Sequence, residues 1–212
     1  AEGYSEFLTQ SVINSGGTDN IEVQENELDD ELDDELELFS DVSSRKYISD
    51  ANDGLLAKHG GEYIKDAFEH EQYLIITESI TRLLITGCSH KGIVNIMEQY
   101  HRIHGKDVIP LFSVIGGFHL YNPTKKEYAS KDYISHLAEN LDRFRVHYYT
   151  CHATGELAYL EMKNLLKGNL DYLAVGGQIQ ITDNGSYLKN PIRNLQQPLQ
   201  LTMAHHSHEP AM

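Results

Sequence analysis

From residue 61 onward the chain alternates between short β-rich runs and stretches of helical periodicity. Tyr73-Leu-Ile-Ile-Thr77 and Arg82-Leu-Leu-Ile-Thr86 are β-rich and four residues apart, which predicts a hairpin. Ile93, Ile96, Met97, Tyr100 and Ile103 then recur at helical spacing, with Gly105 as the stop. Val108-Ile-Pro-Leu-Phe-Ser-Val-Ile115 reads as a buried strand with Pro110 near its start. Tyr133, Ile134, Leu137, Ala138 and Leu141 define a second helix over residues 130–142. Arg145-Val-His-Tyr-Tyr149 is the next strand. Residues 156–167 predict a third helix closed by Gly168. Tyr172-Leu-Ala-Val175 and Gln178-Ile-Gln-Ile-Thr182 finish as two strands around Gly176-Gly177. The order β-β-α-β-α-β-α-β-β predicts an α/β sandwich with buried strands.

The flanks read differently. Residues 1–60 hold few periodic apolar positions and are expected to be an acidic insert or linker. Residues 183–212 are polar, Pro-punctuated and expected to be an irregular tail ending in His205-His-Ser-His208. The 212 residues suffice for one domain with a real core, and 40% hydrophobic content is close to the globular norm. The net charge of −15 argues against a nucleic-acid partner, because phosphate binding needs Lys and Arg. Much of that charge lies in the run Glu25-Asn-Glu-Leu-Asp-Asp-Glu-Leu-Asp-Asp-Glu-Leu-Glu37. The run reads as a solvated helix face with Leu28, Leu32 and Leu36 in one stripe, or as a disordered insert. A calcium loop would need a Gly that is missing. Two cysteines do not make a disulfide scaffold. No apolar stretch approaches the ~18 residues of a membrane helix, and no secretory leader is visible. A cytoplasmic protein without membrane contact is expected.

Three segments occupy equivalent places after successive strands. They are Thr86-Gly-Cys-Ser-His-Lys-Gly92, Gly116-Gly-Phe-His-Leu120 and Thr150-Cys-His-Ala-Thr-Gly155. In open α/β sheets ligands gather at the carboxyl ends of strands, so His90, His119 and His152 are expected to meet at one rim. Imidazole suits zinc and related ions. A lone His after a strand is more often a hydrogen-bonded structural residue, and it is the threefold repetition that argues for a metal. Cys88 and Cys151 flank the site and read as small buried residues. Lys91, at a helix start, reads either as a surface lysine or as a group steadying an anionic substrate together with the helix amides.

Gly87-Cys-Ser-His-Lys-Gly-Ile-Val-Asn95, Gly116-Gly-Phe-His-Leu120, His152-Ala-Thr-Gly155 and His70-Glu-Gln-Tyr-Leu74 together carry a family resemblance. They resemble segments of a metallo-β-lactamase-fold family that includes 7,8-dihydropterin-6-methyl transferase and ribofuranosylaminobenzene-phosphate synthase homologues. Ala153 stands where that family has Cys. The resemblance covers residues 61–182 and implies the C-terminal half of an αββα sandwich. It implies a metal-dependent hydrolase acting on a phosphoester or related ester, with Zn or Mn, dinuclear in the complete domain. His90, His119 and His152 are then the metal-facing residues, with His119 and Lys91 as catalytic candidates. The family's His-x-His-x-Asp-His motif is absent from this sequence, and His206-Ser-His208-Glu209 is only a superficial echo of it. A small-molecule substrate and either a complementing N-terminal half or a homo-oligomer are therefore expected. The alternatives are a non-catalytic binding module of the same fold and a pterin-linked transferase.

Overall fold

The computed structural model describes residues 35–182 and 185–189. Its centre is a six-stranded mixed sheet. In their order across it, the strands are β1 (Leu36–Phe39), β4 (Tyr73–Glu78), β5 (Thr81–Ile85), β6 (Leu111–Gly116), β9 (His147–Thr150) and β10 (Leu170–Tyr172). β1, β4 and β5 pair antiparallel, whereas β5, β6, β9 and β10 run parallel. Helices α1 (Ile93–His104), α2 (Lys131–Asp142) and α3 (Glu156–Leu165) connect the parallel strands. Each crossover steps to the next strand in the same direction. A common right-handed crossover therefore sends all three helices to one face.

That face is the core. Ile75, Leu84, Val114 and Tyr148 point into it from four neighbouring strands and are fully buried. They meet Ile93, Ile96 and Met97 of α1, Leu137 and Leu141 of α2, and Met162 of α3. The alternate residues Leu74, Ile76, Leu83, Ile85 and Ile115 share the opposite face and are only half-buried. β12 (Gly185–Lys189) pairs with β11 (Gln178–Thr182) and lies against β6.

Three small elements complete the described chain. β2 (Leu56–His59) and β3 (Glu62–Lys65) form a hairpin across Gly60 and Gly61, both at positive φ as a two-residue turn requires. A short 3-10 turn, Asp50–Asn52, is capped by Ser49, whose Oγ accepts from Ala51 N. β7 (Tyr121–Asn122) and β8 (Glu127–Tyr128) make a short ribbon before α2.

The strand and helix order over residues 73–182 is as expected from the sequence except for the short β7–β8 ribbon, which the sequence reading did not include, and the fold class is α/β. Some boundaries differ. The strand expected from Val108 begins at Leu111, and Val108 is 98% exposed. Pro110 has no amide to give a ladder, so only its carbonyl joins in, accepting from Arg82 N. The strand expected over 172–175 instead covers Leu170–Tyr172, the stretch in register with β9. The segment expected to be insert or linker up to residue 60 supplies an edge strand of the main sheet. Leu36 is extended in β1 rather than helical, because β4 offers it a ladder and Phe39 reaches the core. Leu28, Leu32 and most of the acidic run lie outside the described residues. So does the tail beyond residue 189 with His206 and His208, whereas residues 185–189 are strand rather than irregular. Among the described residues no helix is long and apolar enough to cross a membrane.

Candidate metal-facing site

β5, β6 and β9 are adjacent and parallel, so the turns that follow them share one edge of the sheet. Backbone hydrogen bonds stitch the turns together. Gly117 N donates to the Gly87 carbonyl at 2.7 Å, and Leu120 N to the Ala153 carbonyl at 2.9 Å. Phe118 N donates to Thr154 Oγ1 at 2.9 Å. Gly117 has no room for a side chain, since a Cβ there would sit 2.5 Å from the His152 carbonyl oxygen. Ser89, His119 and Ala153 each adopt a left-handed φ, at 58°, 45° and 63°. Such backbone persists only where surrounding bonds enforce it, and it clusters at functional sites.

His90 is held on every side. Its ring stacks on Phe68 at 4.5 Å between centroids and lies 4.2 Å from the His119 ring. Asn52 Nδ2 donates to its carbonyl, and Asn52 Oδ1 lies 2.9 Å from its Nδ1. Its amide donates to Glu71 Oε1 at 2.6 Å. Burial, reinforced by the neighbouring His119, lowers its pKa to about 3, so the ring is neutral at pH 7.

His119 is 8% exposed, and neither ring nitrogen has a hydrogen-bond partner of normal geometry. The Ala51 carbonyl is near enough to favour its protonated form, but burial outweighs this and lowers its pKa. An imidazole buried with both nitrogens orphaned is an uncommon and unfavourable arrangement. His152 is exposed, with Nε2 at 3.0 Å from Cys88 Sγ and Nδ1 at 3.5 Å from Cys151 Sγ. Charge on His152 disfavours charge on both His90 and His119, so the three rings sit within electrostatic reach of one another. Burial pushes the Cys88 thiol up to about 11, which keeps it a thiol rather than a thiolate near neutrality.

Two residues of the site lie outside the three histidine turns. Glu71 accepts from the amides of His90 and Lys91 and, at 2.7 Å, from the Tyr73 hydroxyl. Burial raises its pKa against the pull of those bonds. The sequence signal for it was its place in the His70-Glu-Gln-Tyr-Leu74 segment. Asn52 had no comparable signal. Lys91 is not a surface residue. It is 3% exposed, and its Nζ donates to Glu69 Oε2 at 2.8 Å. The amides of His90, Lys91 and Gly92 are all bonded within the protein, so these three are not open to an anion. His70 and His136 are exposed, and His104 bridges Glu37 and Asp107 far along α1. An open depression lined by Asp50, Asp53, Lys125 and Glu127 includes none of the three histidines.

Imidazole is a donor type that zinc and manganese accept, and His119 with both nitrogens unpartnered beside the neutral His90 fits part of a coordination shell. Among the described residues, no group of three or more His, Cys, Asp or Glu closes around a single ion position.

The low pKa of His90 has a consequence for stability. As pH falls below 6.5, an unfolded imidazole takes a proton before the buried one does. Stability present above pH 6.5 is therefore lost as pH falls toward the folded pKa near 3. The urea midpoint should drop between pH 6.5 and about 5, with a shallower slope in His90→Gln. Equal slopes for the two proteins would contradict this account of the site.

No family model matches the chain. An uncharacterised protein of Methanocaldococcus jannaschii is 31% identical over 121 residues, which are 57% of this chain and 41% of that one. The 7,8-dihydropterin-6-methyl-4-(beta-D-ribofuranosyl)-aminobenzene-5'-phosphate synthase of the same organism is 32% identical over 77 residues, 36% of this chain and 26% of the synthase. The chain thus spans less than half the length of these curated relatives. Among solved structures, a metal-dependent hydrolase of the β-lactamase superfamily superposes with a TM-score of 0.50 at 26% identity, over 67% of this chain and 52% of that one. With the mixed sheet, the three helices on one face and this structural neighbour, the fold is that of the metallo-β-lactamases.

Proposed function

We propose that the chain forms part of a metal-dependent hydrolase acting on a phosphoester or related ester of a small molecule. The observation that carries this reading is His119, buried with both nitrogens orphaned, on strained backbone, against a neutral His90. His90 and His152 would be metal ligands, and His119 a ligand or a donor on the substrate side. A bound Zn²⁺ or Mn²⁺ would lower the pKa of its water and polarise a phosphoryl or acyl oxygen. The rest falls to the chain itself. Asn52 and Glu71 fix the His90 turn, and Gly117 lets the His152 turn close upon it. Lys91 would be the cation that steadies an anionic substrate; its Nζ is paired with the exposed Glu69 at 2.8 Å.

The described donors are too few for a dinuclear centre, so the reading includes a complementing N-terminal half or a second copy of the chain. The half-buried apolar face of the sheet supports such a partner layer. Two other readings each have an observation in their favour. The absence of a closed three-donor cluster among the described residues favours a non-catalytic binding module. The named synthase relative favours a pterin-linked transferase.

Zinc titration with metal analysis separates these. Stoichiometric zinc on the full chain, lost in His90→Ala and His152→Ala, is expected, with hydrolysis of a chromogenic phosphodiester once the site is complete. No stoichiometric zinc or manganese, even with the complementing half supplied, favours the binding module. Group transfer between a dihydropterin and an aminobenzene ribofuranosyl phosphate, without hydrolysis, identifies a transferase.

A further inference from the structure

Asn52 lies in a segment that reads from the sequence as insert or linker, yet both ends of its side-chain amide engage one residue. Nδ2 donates to the His90 carbonyl oxygen at 2.7 Å, and Oδ1 lies 2.9 Å from His90 Nδ1. A carbonyl oxygen has no hydrogen to give, so the atom facing it must be the NH₂ group. That fixes which way round the amide sits. The other atom is then an oxygen, which can only accept, so His90 Nδ1 must carry the hydrogen. A neutral imidazole has one N–H, and Nε2 is left with its lone pair bare.

The surroundings hold Asn52 to this task. It is 3% exposed and sits in the 3-10 turn capped by Ser49. The carbonyl of its neighbour Ala51 accepts from Asn122 Nδ2 at 3.0 Å, which ties the turn to β7. On the histidine side, Phe68 lies parallel to the ring, 4° off. Stacking sets the plane of the imidazole but does not distinguish its two nitrogens. Asn52 breaks that symmetry.

We infer that Asn52 is the positioning residue that locks His90 in its Nδ1–H tautomer, so that Nε2 is the atom His90 offers to a ligand. The tautomer exists in the free chain; only its use as a metal ligand rests on the function proposed above. Outer partners of this kind orient ligating histidines and tune their basicity.

The test is long-range proton–nitrogen correlation NMR of the full chain, ¹⁵N-labelled at histidine, at pH 7. His90 should show a protonated, pyrrole-type Nδ1 and a bare, pyridine-type Nε2. Asn52→Leu, close in size but unable to form either bond, should move the pair toward the Nε2–H form that free imidazole prefers. Asn52→Asp keeps an acceptor for Nδ1–H but sets an oxygen against the His90 carbonyl, so it should retain the wild-type nitrogen pattern in a less stable chain, which separates tautomer control from mere packing. Zinc affinity should fall about ten- to a hundred-fold in Asn52→Leu and less in Asn52→Asp. An Nε2–H signal in the wild-type chain would overturn the inference, and so would a folded Asn52→Leu with an unchanged nitrogen pattern. If the pattern is as stated and shifts in Asn52→Leu, yet zinc leaves His90 Nε2 unmoved, the inference stands and the metal reading falls.

Discussion

Alanine at Gly92 is expected to lower stability by about 3–5 kcal/mol, the sum of backbone strain and overpacking. Gly92 opens α1 at φ +87°, and a Cβ there would sit 1.9 Å from the Tyr47 carbonyl oxygen. That obstacle is backbone and cannot rotate aside. Gly54 is the natural control. It has φ +91° but nothing within 4 Å of a built Cβ, so Gly54→Ala measures the cost of the dihedral alone, about 1 kcal/mol. Denaturant unfolding of both variants isolates the clash as a difference. Equal losses would mean that the segment around Tyr47 moves away freely and does not brace the start of α1.

Glu71→Gln should lose about 2–4 kcal/mol and loosen the His90 turn, because hydrogen bonds to a buried carboxylate are among the stronger ones. The carboxylate accepts at both oxygens, from His90 N at one and from Lys91 N and the Tyr73 hydroxyl at the other. A glutamine has one acceptor oxygen. Whichever way its amide turns, an NH₂ group faces a backbone N–H that also needs an acceptor. The expected signature is faster hydrogen exchange at the amides of His90 and Lys91, with the β4–β5 ladder unchanged. A loss below about 1 kcal/mol, with exchange as in the wild type, would show that Glu71 does not hold the turn.

The sequence made the right half of this molecule legible, and the reasons differ element by element. The two strands over 73–85 and helices α1 and α2 read well because each buries one face, and that burial is written as spacing. Ile93, Ile96, Met97 and Tyr100 mark α1 as plainly as their burial confirms. β1 was hidden because its Leu36 and Leu38 alternate inside an acidic run whose charge outweighs four residues of pattern. The β2–β3 hairpin did carry a signal, Gly60-Gly61, but its strands are largely exposed and lack an apolar face. At the site, the placement of the three histidine turns at one sheet edge was legible because each follows a parallel strand. Asn52 was not, because its contact with His90 spans 38 residues and depends on where a single 3-10 turn docks. For Lys91 the surface reading fails: a lysine at a helix start is normally solvated, whereas this one is buried with its Nζ on Glu69.

The bonds that join the three turns are made entirely within the chain. Gly117 to Gly87, Leu120 to Ala153 and Phe118 to Thr154 hold the rim whether or not anything is bound there. A guest arriving at that edge meets walls already standing, and little ordering entropy remains to be lost on docking. Its arrival should therefore be quick, with a small heat-capacity change, and most loop resonances should stay where they were in its absence.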